Sequence, residues 1–108
     1  MQTLIQVFCK GSLSSLRKKI ANDEKLEDYN FYVQQHKNHY RAGGWLKLKA
    51  SGTNGTLNIE WDAKTKILWT RVVNKGQGKP DKIAGDFVSY LIGRHNKIIK
   101  AIHIVSID

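Results

Sequence analysis

The sequence is poor in residues that cross-link or stiffen a chain. It contains one cysteine and one proline among 108 residues. The single cysteine, Cys9, excludes a disulfide within the chain and any zinc site built from several cysteines. We therefore expect a protein of a reducing compartment, and we predict a cytoplasmic location.

Long apolar runs are also missing. The most apolar stretch, 98–107, contains a lysine and a histidine and is about half of the roughly 20 residues that a membrane-spanning helix needs. Residues 1–8 lack the basic segment and apolar core of a signal peptide. Hydrophobic residues (41%) and charged residues (25%) are near the averages of globular proteins. The composition predicts a single domain over 1–108 with no membrane partner.

Acidic residues are scarce. Nine Asp and Glu stand against 18 Lys and Arg, so the formal net charge is +9. The segment 37–49 has four basic residues and no acidic one. The positive electrostatic field of so many cations attracts polyanions, and each phosphate that is neutralised releases counterions. A basic surface also keeps a small protein soluble, so charge alone leaves both interpretations open.

Alternation of apolar and polar residues predicts strands in the middle of the chain. In 45–50, Leu46, Leu48 and Ala50 take one side, and Trp45, Lys47 and Lys49 take the other. Segments 56–61 and 67–73 alternate in the same way, and turn-forming residues separate the three. The pattern predicts a three-strand antiparallel meander over 44–73.

The flanking segments predict helices and further strands. An apolar stripe indicates a helix over about 12–22, with Ser12 as N-cap, and a second helix over about 81–93, with Gly93 as C-cap. Residues 3–9 are predicted as a strand, and 29–35 alternate only weakly. Segment 98–107 is apolar on both sides, which is typical of a central strand. We predict an α+β domain: an antiparallel or mixed sheet of about five strands, with both helices on one face.

Tryptophans lie among the cations of the predicted meander. Trp45 shares its side with Lys47 and Lys49, and Trp69 should share the same outer face with Arg71. Flat rings between cations hold single-stranded bases by stacking and by pairing with phosphates. The alternative is that Trp45 or Trp69 packs under a helix or in a subunit interface. Trp61 is in phase with the apolar side of its strand and is predicted as core.

A basic loop over 75–80 precedes the second predicted helix. Its glycines would let backbone N–H groups approach a phosphate, and the positive end of the helix dipole would favour an anion there. The predicted nucleic-acid contacts are Lys37, Arg41, Trp45, Lys47, Lys49, Trp69, Arg71, Lys75, Lys79 and Lys82.

Catalytic and metal-binding patterns are weak. Glu60, Asp62 and Lys64 have a spacing similar to that of metal-dependent nucleases, but residues this common coincide by chance, and no upstream acid can be placed. His36 and His39 lack a second pair of metal ligands. We expect no cofactor and no metal, and we interpret the chain as a small, non-catalytic protein that binds DNA or RNA. The alternatives are a protein-interaction or homodimer-forming module and, more weakly, a small metal-dependent nuclease.

Overall fold

The computed structural model describes residues 2–10, 15–37, 44–74, 76 and 79–107. Their order is strand, helix, four strands, helix, strand. Two single turns of 3-10 helix, Leu26–Tyr29 and Asn96–Ile98, connect these elements. The bounds are β1 Gln2–Cys9, α1 Leu16–Ala21, β2 Phe31–Lys37, β3 Trp45–Ala50, β4 Gly55–Asp62, β5 Ile67–Asn74, α2 Pro80–His95 and β6 Ile99–Ile107.

The six strands form one antiparallel sheet in the order β2-β3-β4-β5-β1-β6. The α+β class and the meander, which is β3-β4-β5, are thereby confirmed. The sheet has one strand more than the number predicted, because the weakly alternating segment becomes β2. That strand pairs Phe31 with Ala50 of β3, and its register shifts between Val33 and Gln35.

Both helices lie on the face to which the buried strand residues point, as predicted. Leu16 and Ile20 of α1 and the apolar stripe of α2 are fully buried. On α2, the Phe87 ring meets Phe31 edge-on at 6.1 Å between centroids. Trp61 is half-buried against this core. The other face of the sheet carries no helix from the described ranges.

The helix ends differ from those predicted. Ser12 lies outside the described residues, and the N-cap of α1 is Ser15, whose side chain accepts a hydrogen bond from the Lys18 N–H. Helix α2 continues to His95, so Gly93 is inside the helix and is not its C-cap. A Cβ at Gly93 would overlap the Tyr29 hydroxyl. The glycine is therefore explained by close packing, which the local sequence does not reveal.

The prediction of a central last strand is wrong. Among the described residues, β6 pairs with β1 alone, and it lies at the edge of the sheet. Its Ile104 side chain is 55% exposed, and Val105 is also exposed. β-branched residues favour strands at edges as well as in centres, so the apolar composition did not fix the position. β1 takes the inner position, between β5 and β6.

None of the helices within the described ranges is both long enough and apolar enough to cross a membrane.

Candidate functional site

The side of the sheet opposite the helices presents polar and aromatic side chains. The pleat produces it: because Leu46, Leu48, Leu57 and Ile59 point into the core, their neighbours on β3 and β4 point away. We call this surface the open face. In its central part it consists of Leu4, Gln6, Trp45, Lys47, Lys49, Asn58, Glu60, Trp69 and Arg71.

Strand register aligns these side chains in two rows. Trp45 lies opposite Glu60, and Glu60 lies opposite Trp69; we call this the tryptophan row. Lys47, Asn58 and Arg71 face one another in the same way and form the cation row. Neighbouring strands are about 4.8 Å apart, so the Cα atoms of the two tryptophans are about 10 Å apart.

Both tryptophans are accessible. Trp45 is 38% exposed and Trp69 is 39% exposed. The prediction that they share one outer face with the cations is confirmed, and no helix in the described part of the chain covers either of them. More than a third of the surface of each tryptophan is therefore open to solvent.

A shallow depression of about 250 Å³ lies beside Trp69. This is smaller than the about 300–1,000 Å³ of pockets that hold drug-sized ligands. Its lining combines an aromatic ring, a cation, an amide and a carboxylate: Leu4, Asn58, Glu60, Trp69, Thr70 and Arg71.

The charges of the open face are largely unengaged. Lys49 Nζ donates to the Gly55 carbonyl oxygen at 3.4 Å, which holds it near the turn between β3 and β4. Within the described ranges, neither Lys47 nor Arg71 forms an ion pair with a carboxylate, and Glu60 has none with a cation. These three groups are free to meet a ligand.

The other predicted cations lie elsewhere or outside the description. The Lys79 N–H donates to Thr53 Oγ1 at 3.1 Å at the start of α2, and Lys82 Nζ is 2.6 Å from Asp86 Oδ2. Lys37 stands opposite Trp45 on β2, and only its backbone is described. Arg41 and Lys75 lie outside the described residues. The structure thus brings together Trp45, Lys47, Lys49, Trp69 and Arg71.

The residues of the nuclease hypothesis have other contacts. Asp62 Oδ1 accepts hydrogen bonds from the backbone N–H groups of Lys64 at 3.0 Å and Thr65 at 3.5 Å. Hydrogen bonds from the Thr65 side chain and the Lys64 backbone lower the pKa of Asp62. It thus caps the turn after β4. No group of three or more His, Cys, Asp or Glu in the described part could hold a metal.

The histidine pair is likewise incomplete in the description. His36 Nε2 lies 2.7 Å from Nη1 of the buried Arg17. Burial lowers the pKa of His36, and the charges of Arg17 and Lys18 lower it further. A neutral Nε2 that accepts from Arg17 has no lone pair left for a metal. His39 lies outside the described residues.

Four residues of the depression were absent from the predicted contacts: Leu4, Asn58, Glu60 and Thr70. Glu60 is out of phase with Leu57 and Ile59, so alternation alone could have placed it on the outer face. The same alternation places Asn58 on the outer face. Leu4 reaches the site only because β1 pairs with β5, and no local pattern reveals that pairing.

A second polar cluster joins the end of α2 to the segment after α1. Tyr90 Oη donates to Asp23 Oδ2 at 2.8 Å and lies 2.8 Å from His95 Nε2. Arg94 donates to both Asp23 oxygens at 3.2 Å. Burial lowers the pKa of His95, although Asp23 opposes this shift. The polar groups of this cluster bond to one another, which indicates a structural role.

Comparison with known proteins finds no matching family model, no matching curated protein and no matching solved structure.

Proposed function

We propose that the open face binds single-stranded nucleic acid and that the protein carries out no catalysis on it. The observation that carries the proposal is the tryptophan row beside the cation row: two exposed indoles on one surface, next to Lys47 and Arg71. Stacking platforms combined with cations bind strands with little dependence on base identity.

The spacing of the tryptophans favours a single strand. Successive bases in a duplex rise about 3.4 Å and are stacked on one another, whereas the two indoles are about 10 Å apart across the sheet. A duplex has no free base faces to offer to Trp45 and Trp69. A single strand can spread its bases, stack them on the indoles and direct its phosphates to the cation row.

The cations outside the central face extend the proposed path. The Lys79 N–H donates to Thr53, which belongs to the turn between β3 and β4 that the Lys49–Gly55 hydrogen bond also holds. The proposal keeps as further phosphate contacts Lys37, Arg41, Lys75, Lys79 and Lys82. It covers DNA and RNA alike, and it includes the cytoplasmic location expected from the single cysteine.

The first test is the dependence of affinity on salt. We expect the logarithm of the association constant for a mixed-sequence single strand to fall linearly with the logarithm of the salt concentration. Lys47→Ala should reduce the slope by about 0.7, the contribution of one phosphate contact in a single strand. Fluorescence anisotropy titrations over a series of salt concentrations measure this slope.

Lys19→Ala is the matched control. It removes the same charge from an exposed position of α1, and α1 lies on the side of the sheet opposite the open face. It should leave the slope unchanged. A parent protein that fails to bind in low salt, or whose affinity ignores ionic strength, would refute the proposal.

A homodimer is the second candidate, and β6 is the observation that favours it. Its outer edge is unpaired within the described part of the chain, and Ile104 and Val105 are exposed. An exposed apolar edge strand is a template for pairing with another chain. Sedimentation at tens of micromolar should then show twice the 12.3 kDa chain mass, and Ile104→Lys should restore the monomer. A parent protein that is already monomeric under these conditions would eliminate this candidate.

A further inference from the structure

Glu60 places a negative charge among the cations of a surface that we propose binds phosphates. It stands in the tryptophan row between two indoles, and it lines the depression beside Trp69. Within the described ranges it has no hydrogen-bond or ion-pair partner, although cationic Arg71 lines the same depression. A carboxylate here repels phosphates and lowers general affinity for a strand. The Glu60 carboxylate is suited instead to accept hydrogen bonds from donor groups of a ligand.

Resting on the proposed single-strand binding, we propose that the depression accepts one base stacked on Trp69 and selects guanine through Glu60. An ionised carboxylate only accepts hydrogen bonds, and its two oxygens can take two parallel donors. The Watson–Crick edge of guanine presents two adjacent donors, N1–H and the N2 amine. Adenine and cytosine present an exocyclic amine beside an acceptor nitrogen, and uracil presents a single N–H between two carbonyls. Guanine alone satisfies both oxygens.

The other lining residues suit the rest of the guanine ring. Asn58 is two residues before Glu60 on β4, so both side chains are on the open face. Its amide can donate to guanine O6, next to N1. Leu4 supplies an apolar contact, and Arg71 lies opposite Asn58, where it can meet the phosphate of the bound nucleotide. The volume of about 250 Å³ is below the range of pockets for drug-sized ligands, as suits a ligand of the size of one base.

The test uses short oligouridine strands that differ only at one central base. A single guanine in a uridine background should bind on the order of 10- to 100-fold more tightly than adenine, cytosine or uracil at the same position. Inosine lacks the N2 amine and should lose most of this advantage. Anisotropy titrations at one fixed salt concentration give the ratios.

Glu60→Gln separates base recognition from general binding. Glutamine keeps the size of the side chain but presents an N–H to one of the guanine donors. The variant should bind plain oligouridine at least as tightly as the parent, because a negative charge is gone, while its preference for guanine falls to near one. Glu24→Gln makes the same change at an exposed position outside the sheet and should keep the full preference.

The outcomes distinguish the two proposals. If the parent binds every strand equally well, guanine selection is refuted and single-strand binding stands. If Glu60→Gln retains the preference, Glu60 does not read the base and the inference is overturned. If no strand binds, the proposed function fails and this inference fails with it.

Discussion

Replacing both Trp45 and Trp69 by alanine should weaken binding of an oligouridine strand by about 2–6 kcal/mol. The expectation follows from about 1–3 kcal/mol for each stacked base and from near-additivity of two side chains that do not touch. Both rings are more than a third exposed. The free energy of unfolding should therefore fall only by the loss of cross-strand contacts, about 0.2–1 kcal/mol for each pair. Anisotropy titrations and urea unfolding measure the two quantities separately.

Two controls make this result specific. Replacement of the same tryptophans by phenylalanine keeps an aromatic face and should retain much of the affinity. Ile92→Ala removes an exposed apolar side chain from α2 and should change neither binding nor stability. If the double alanine variant melts far below the parent, the indoles are structural. If it binds as tightly as the parent, the stacking surface is elsewhere.

Which side chains of β3 and β5 point outward was predictable, because this depends on the pleat alone. Successive residues of a strand point to opposite sides, so the apolar phase of Leu46 and Leu48 sends Trp45 and Lys47 outward. Trp69 and Arg71 follow from the same argument on β5. No knowledge of the partner strands is required for this step.

The arrangement within the face was not predictable, because it depends on which strands become neighbours. The depression exists since β1 pairs with β5 and brings Leu4 opposite Arg71. β1 and β5 are distant in the chain, and the apolar pattern of 98–107 predicted β6, not β1, for an inner position. Gly93 shows the same limit, because only the fold brings Tyr29 against it.

The cluster around Asp23 gives the protein a defined response to acid. The Asp23 side chain is only 5% exposed. Burial alone would raise its pKa, but hydrogen bonds from Arg94, the Lys25 backbone and Tyr90 outweigh burial and hold the pKa of Asp23 at about 2. An unfolded aspartate titrates near pH 3.9. The folded state therefore favours the ionised form, which corresponds to about 2 kcal/mol of stability.

The sign of this contribution sets the pH range in which it acts. The pKa is lower in the folded state, so the stabilisation is complete above about pH 4 and is lost as the pH falls towards 2. Asp23→Asn should cost about 2 kcal/mol of unfolding free energy at neutral pH, and the difference from the parent should shrink across this range. Urea unfolding of both proteins at a series of pH values measures it.

Asp28→Asn provides the comparison, since it makes the same substitution at an exposed position five residues further along the chain. No described residue gives the Asp28 side chain a contact like those of Arg94 and Tyr90 with Asp23, so its replacement should leave the unfolding free energy nearly unchanged at neutral pH. A difference between Asp23→Asn and the parent that stays constant from neutral pH down to pH 2 would mean that the ionised carboxylate does not hold the end of α2. The cost of the substitution would then come from packing, because packing is independent of protonation.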